Sequence, residues 1–212
     1  SEMCIRDRYL ILREYGGGKK LPKPAEPREV PAAVVCRPKD MKCYGSFKEF
    51  STDFPFDEEK PVIAFLYYGH IYPMDYSGAV AEICERLQKS ANVLPVAVSG
   101  MDSINDGTLK KLLTEFMPAK TELIMNCMSF RLSAGPMGGN ISAGTDMLKE
   151  LNVPYLHPLF MSRRTEKDWK DSVQGCTASE VLISVMLPEQ DGAMLTLPVG
   201  AKTEPMYDEE FD

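Results

Sequence analysis

The segment Pro188-Glu189-Gln190-Asp191-Gly192 sets two carboxylates behind the apolar run from Val181 to Leu187. If that run ends in a buried strand-like segment, the strand fixes Glu189 and the glycine turn exposes it. Such a placement suits a general base better than it suits stability. The plainer reading of Glu189 is a turn carboxylate that accepts backbone hydrogen bonds, and Asp191 before Gly192 fits turn chemistry first. The chain holds two histidines, His70 and His157, and each follows the end of an apolar run. Taken singly, either suits a surface or packing role. An imidazole near a carboxylate can also take a proton from a weak acid or hold a divalent ion briefly.

Other chemistries lack their residues. The six cysteines, at 4, 36, 43, 84, 127 and 176, form neither a C-x-x-C pair nor a zinc spacing. Cys84 and Cys127 fall in apolar-periodic segments, as reduced buried thiols do, which implies a cytoplasmic address. Gly16-Gly17-Gly18-Lys19-Lys20 is no phosphate loop, because Lys20 stands where Ser or Thr must reach magnesium. Gly135-Pro136-Met137-Gly138-Gly139 lacks the dinucleotide spacing, and no G-x-S-x-G elbow occurs. ATP, if used, is bound elsewhere. A net charge of −7 argues against nucleic acid as a partner. No apolar run approaches the ~18 residues of a membrane span, so no span is expected.

The elements that must position these residues alternate along the chain. Val62 to Tyr68 and Val93 to Val98 are continuous apolar runs, as in strands buried on both faces. Val80, Ile83, Cys84, Leu87 and Ala91 form a helical stripe, and Ile104, Leu109, Leu112, Leu113 and Phe116 mark a second helix. Leu123–Asn126 predicts a third strand, a helix passes through Met147, Leu148 and Leu151, and Val153–Pro158 predicts a fourth strand. Thr177-Ala178-Ser179-Glu180 is a capping box that starts a helix; Ile183 to Leu187 is expected to be strand-like. Strands alternating with amphipathic helices imply an α/β fold, a parallel doubly wound, flavodoxin-like sheet with a partial N-terminal extension. Ligands of such sheets sit outside the carboxyl ends of the strands. That edge carries His70, Ser129 beyond Asn126, His157, and Glu189 with Asp191.

The expected organisation has four parts. Residues 1–8 show neither periodicity, look like an adapter-derived peptide of the kind that contaminates assembled reading frames, and are set aside. Residues 9–60 comprise a helix end stopped by Gly16-Gly17-Gly18 and a proline- and charge-rich linker from Lys19 to Pro38. Residues 61–200 form the α/β domain, and residues 201–212 an acidic tail.

The pattern Trp169-x-x-Ser172-x-x-Gly175, then a helix, then Pro188-Glu189-x-Asp191-Gly192, resembles the large subunit of cobaltochelatase and the porphyrin-binding subunit of magnesium chelatase. Lys60-Pro61-Val62-Ile63-Ala64-Phe65-Leu66 and Asn126-Cys127-Met128-Ser129-Phe130 agree with it. Gln190 departs from the aliphatic residue usual between that Glu and Asp. Members of that family are several times longer, so the resemblance implies an internal fragment. It also implies Co²⁺ or Mg²⁺ as substrate ion, a tetrapyrrole substrate, and ATP bound by AAA+ ATPase-type partner subunits rather than by this chain. Within it Glu189, His157 and His70 are the candidate catalytic residues, Glu189 and His157 also holding the metal transiently. Trp169, Ser129 and Asp191 are candidate ring contacts, although Trp169 equally suits a packing anchor for the segment from Arg163 to Gly175. The alternative is a non-catalytic flavodoxin-like domain that binds a small molecule.

Overall fold

The computed structural model of the chain describes residues 2–17, 31–69, 77–99, 102–128, 130–132, 134–135, 138–194 and 197–202. Residues 1–30 and 31–212 form two compact units. In the first, helix α1 (Glu2–Glu14) runs through most of the stretch that sequence periodicity left unassigned, and it ends ahead of Gly16 and Gly17.

The second unit opens with a hairpin of β1 (Ala33–Cys36) and β2 (Cys43–Tyr44), followed by α2 (Phe47–Asp53). Then come β3 (Val62–Tyr68), α3 (Ser77–Leu87), β4 (Asn92–Val98), α4 (Asp102–Asn105), α5 (Thr108–Glu115) and β5 (Thr121–Asn126). A short β6 (Ala134–Gly135) and β7 (Gly138–Gly139) pair antiparallel ahead of α6 (Ile141–Leu151) and β8 (Tyr155–Leu156). The chain continues through β9 (Leu159–Thr165), α7 (Glu166–Asp171), α8 (Ala178–Val181), a π-helical turn at Leu182–Met186, α9 (Leu187–Gln190) and β10 (Pro198–Lys202).

The main sheet has the order β2-β1-β4-β3-β5-β8. Strands β4, β3, β5 and β8 are parallel, whereas β1 runs antiparallel to β4. Counting only parallel strands, the order is second, first, third, fourth, which is the flavodoxin-like winding the alternation predicted. The reason is visible in β3. Val62, Ala64 and Leu66 enter one core with Leu109, Leu113, Met147 and Leu148, while Ile63, Phe65 and Tyr67 enter another with Val80 and Cys84. Side chains alternate across the strand, so an unbroken apolar run is what burial on both faces requires.

Several expected boundaries change for local reasons. The second helix divides into α4 and α5, because Gly107 takes φ 78° and the Asp106 carboxylate accepts from Thr108 N at 2.8 Å. The fourth strand shrinks to Tyr155–Leu156 between Pro154 and Pro158, neither of which has an N–H to give the ladder. Ala33–Cys36, within the expected linker, is a strand whose Val35 and Cys36 are wholly buried. The largest correction concerns residues 183–187. They are helical, because the capping box at Thr177 launches α8 and the chain stays helical through the π turn into α9.

Candidate functional site

The winding reverses between β3 and β5, so the crevice of this sheet opens beyond their carboxyl ends. Both ends are held from either side. Gly69, with φ 77°, donates its N–H to Val98 O at 2.9 Å, and Cys127 N donates to Leu66 O at 2.7 Å. Tyr68 and Phe130 meet edge to face across the reversal, with ring centroids 5.4 Å apart.

Asn126 ends β5 without any exposed surface. Its Nδ2 donates to Phe130 O at 3.2 Å and to the Tyr155 hydroxyl at 2.8 Å, while its Oδ1 accepts from Met128 N at 3.0 Å. One side chain thus folds the loop back on itself and ties it to β8. Five residues on, Arg131 Nε donates to Asp191 Oδ2 at 3.0 Å and Nη2 donates to Oδ1, both side chains being buried. The hydrogen bonds that Arg131 donates to Asp191 raise its guanidinium above its ordinary value, against the opposing effect of burial. Burial, foremost, raises the Tyr155 phenol. Arg131, Asn126 and Tyr155 were not among the expected site residues. The one signal for Arg131 was an arginine lodged between the apolar Phe130 and Leu132.

His157 stands immediately beyond β8, level with Asn126 by the register of Ile124 with Tyr155 and Met125 with Leu156. It has no exposed surface, and among the described residues neither ring nitrogen has a hydrogen-bond partner. Burial alone pulls its pKa down to about 4, so the ring is neutral at physiological pH.

Glu189 does not end a strand. It lies exposed in the last turn of α9, and no hydrogen bond or ion pair engages its carboxylate among the described residues. The turn after it leads straight to β8: Ala193 N donates to Pro188 O at 3.1 Å, and Met194, two residues past Gly192, pairs in parallel with Leu156. The chain that leaves Glu189 thus reaches β8 at one point, Met194 opposite Leu156. Asp191 is buried on Arg131. Trp169 sits half-buried on α7, its indole Nε1 3.8 Å from where a Cβ on Gly175 would stand. His70 and Ser129 lie outside the described residues.

No group of three or more His, Cys, Asp or Glu among the described residues could hold a metal ion. Two clefts, of about 170 and 160 Å³, lie elsewhere, around Phe54 and Gln88. Both are smaller than the ~300 Å³ of an ordinary small-molecule site, and neither includes a residue of the carboxyl edge. No helix among the described residues is long and apolar enough to cross a membrane.

Against known proteins, the family model for CobN/Magnesium Chelatase matches residues 5–211. The aerobic cobaltochelatase subunit CobN of Sinorhizobium sp is 28% identical over 73% of this chain and 12% of its own length. The chloroplastic magnesium-chelatase subunit ChlH of Oryza sativa subsp. indica is 30% identical over 65% of this chain and 10% of its own. The catalytic subunit of cobaltochelatase from Mycobacterium tuberculosis superposes with a TM-score of 0.54 at 18% identity, covering 90% of this chain and 15% of that one. The chain spans roughly a tenth of the length of the first two relatives.

Proposed function

The chain belongs to the CobN/magnesium chelatase family, and from that premise we propose that it is part of the large subunit of an ATP-dependent chelatase. The reaction is insertion of Co²⁺, or else Mg²⁺, into a tetrapyrrole; two relatives are named as cobaltochelatase and magnesium-chelatase subunits. ATP is bound by AAA+ ATPase-type partner subunits.

Insertion asks for removal of two pyrrole protons, stripping of water from the ion, and deformation of the ring. Glu189, exposed and carrying no ion pair among the described residues, is the base and the first ligand to meet the hydrated ion. His157 supports this reading most, because a buried imidazole with neither nitrogen partnered among the described residues is costly unless something uses it. Kept neutral, it offers a lone pair to an ion in transit and need not lose a proton first. His70 assists the two. Trp169 and Ser129 contact the ring, and Asp191 contributes by holding Arg131 in place. A transient site of this kind needs few ligands, since the ion must leave for the ring.

The test uses the full-length subunit with its partner subunits, a porphyrin analogue, Co²⁺ or Mg²⁺, and ATP. Glu189→Ala should bind the porphyrin and fail to insert metal. Unchanged turnover would reduce Glu189 to a surface residue. Porphyrin binding without metal insertion by the unmodified assembly would favour a binding domain.

A further inference from the structure

Cys36 and Cys43 are register partners across the β1–β2 hairpin, and their Sγ atoms lie 3.1 Å apart. Arg37 N donates to Lys42 O at 2.8 Å, which makes Arg37 and Lys42 the hydrogen-bonded pair next to the turn. By alternation, the cysteines occupy the following non-hydrogen-bonded pair, where Cα atoms come within ~4.5 Å and side chains are closest. A disulfide spans Cα separations of ~4.4–6.8 Å, so the backbone can accept one without rearrangement. Both thiols are free; Cys43 is exposed and Cys36 is buried.

The frame around them is firm. Asp53 Oδ2 accepts from Lys42 Nζ at 2.7 Å and from the Tyr44 hydroxyl at 2.6 Å, tying β2 to α2. On the other side the Tyr67 hydroxyl donates to Cys36 O at 2.8 Å. The two sulfurs are therefore held together by contacts that do not depend on a bond between them.

We infer that Cys36 and Cys43 form a reversible dithiol–disulfide couple that staples the edge hairpin of the sheet. The oxidant is a low-molecular-weight disulfide. The exposed Cys43 thiolate attacks it, forming a mixed disulfide and releasing one small thiolate. Cys36, as its thiolate, then attacks Cys43 Sγ, the bond to the small thiol breaks, and the second small thiolate leaves. Two protein thiols have lost two electrons, one small disulfide has become two thiols, and those thiols carry off the two protons. Burial, with the neighbouring Cys43 thiol second, pushes Cys36 up to about 12, so closure is the slower step. The hairpin lies at the opposite edge of the sheet from β8, and the inference does not rest on the chelatase reading.

The experiment incubates the 212-residue chain with glutathione disulfide, then unfolds, alkylates and maps the peptides. The expected product is a Cys36–Cys43 cross-linked peptide with both thiols protected. Closing so short a loop should raise Tm by about 5 °C, and dithiothreitol should reverse the rise. Cys43→Ser, at an exposed position, should fold normally and show no rise in Tm with the oxidant. A persistent glutathione adduct on Cys43, a chain dimer linked through Cys43, or both thiols alkylated after incubation would overturn the couple.

Discussion

Arg131 and Asp191, sixty positions apart, meet as a two-point ion pair whose side chains are 3% and 0% exposed. The contact joins the loop after β5 to the turn after α9, so the edge that faces the crevice is assembled from distant parts of the sequence. Withdrawing two ions from water is costly, and the pair earns its place through geometry that satisfies both oxygens.

Removing one partner should therefore cost more than removing both. Asp191→Ala is expected to lower unfolding free energy by about 3–5 kcal/mol, since a guanidinium is left buried without its anion. Arg131→Met combined with Asp191→Leu should recover most of that loss. Urea denaturation of both variants beside the unmodified chain checks it; a neutral Asp191→Ala would mean that Arg131 reaches water.

Asn126 fixes the same loop by a different route. Asn126→Ala leaves Met128 N, Phe130 O and the Tyr155 hydroxyl each short of a partner, and should cost about 2–3 kcal/mol. Tyr155→Phe removes one hydrogen bond without orphaning a backbone group, and should cost about 1 kcal/mol. If the two variants are equally stable, the backbone bonds of Asn126 contribute little.

The difference between legible and hidden parts of this site is physical. Strands β3 and β4 were readable because a sheet covered on both faces demands unbroken apolar runs. His157 was readable as a strand end. Residues 183–187 were misread because Ile183 and Val185 favour strands intrinsically, whereas the helix launched at Thr177 carried through them. Moving that segment from strand to helix moved Glu189 from a strand terminus to an exposed turn of α9. The strand β1 was hidden because prolines at 31 and 38 bracket a stretch whose partner, β4, comes some sixty residues later. The Arg131–Asp191 pair was hidden for the same reason, since pairing at that separation leaves no periodic trace.

His157 predicts a pH dependence of stability. Its ordinary pKa is 6.5 and its folded value about 4. Between those values the unfolded chain binds a proton at this residue and the folded chain does not. Stability from this group is thus complete above about pH 6.5 and falls as pH drops toward 4. The loss is on the order of 3 kcal/mol. The difference in unfolding free energy between the unmodified chain and His157→Phe should vary with pH over that window and stay flat above it. A difference independent of pH from 4 to 7 would mean that the ring is already protonated or hydrated in the fold.

The same imidazole and Glu189 should behave as one unit in metal insertion, if the chelatase reading holds. Their segments are joined by Met194 pairing with Leu156, one residue before His157. A carboxylate in water can collect the hydrated ion, but it cannot hold the ion dehydrated; a buried neutral imidazole can, but the ion must first reach it. Glu189→Gln in the full-length subunit should lower the insertion rate by about 10²–10⁴-fold, with tetrapyrrole binding largely retained. His157→Gln should lower it comparably. Groups serving one step lose their effect together, so the double variant should be little slower than the worse single one. Losses that multiply would instead assign the two residues to separate steps.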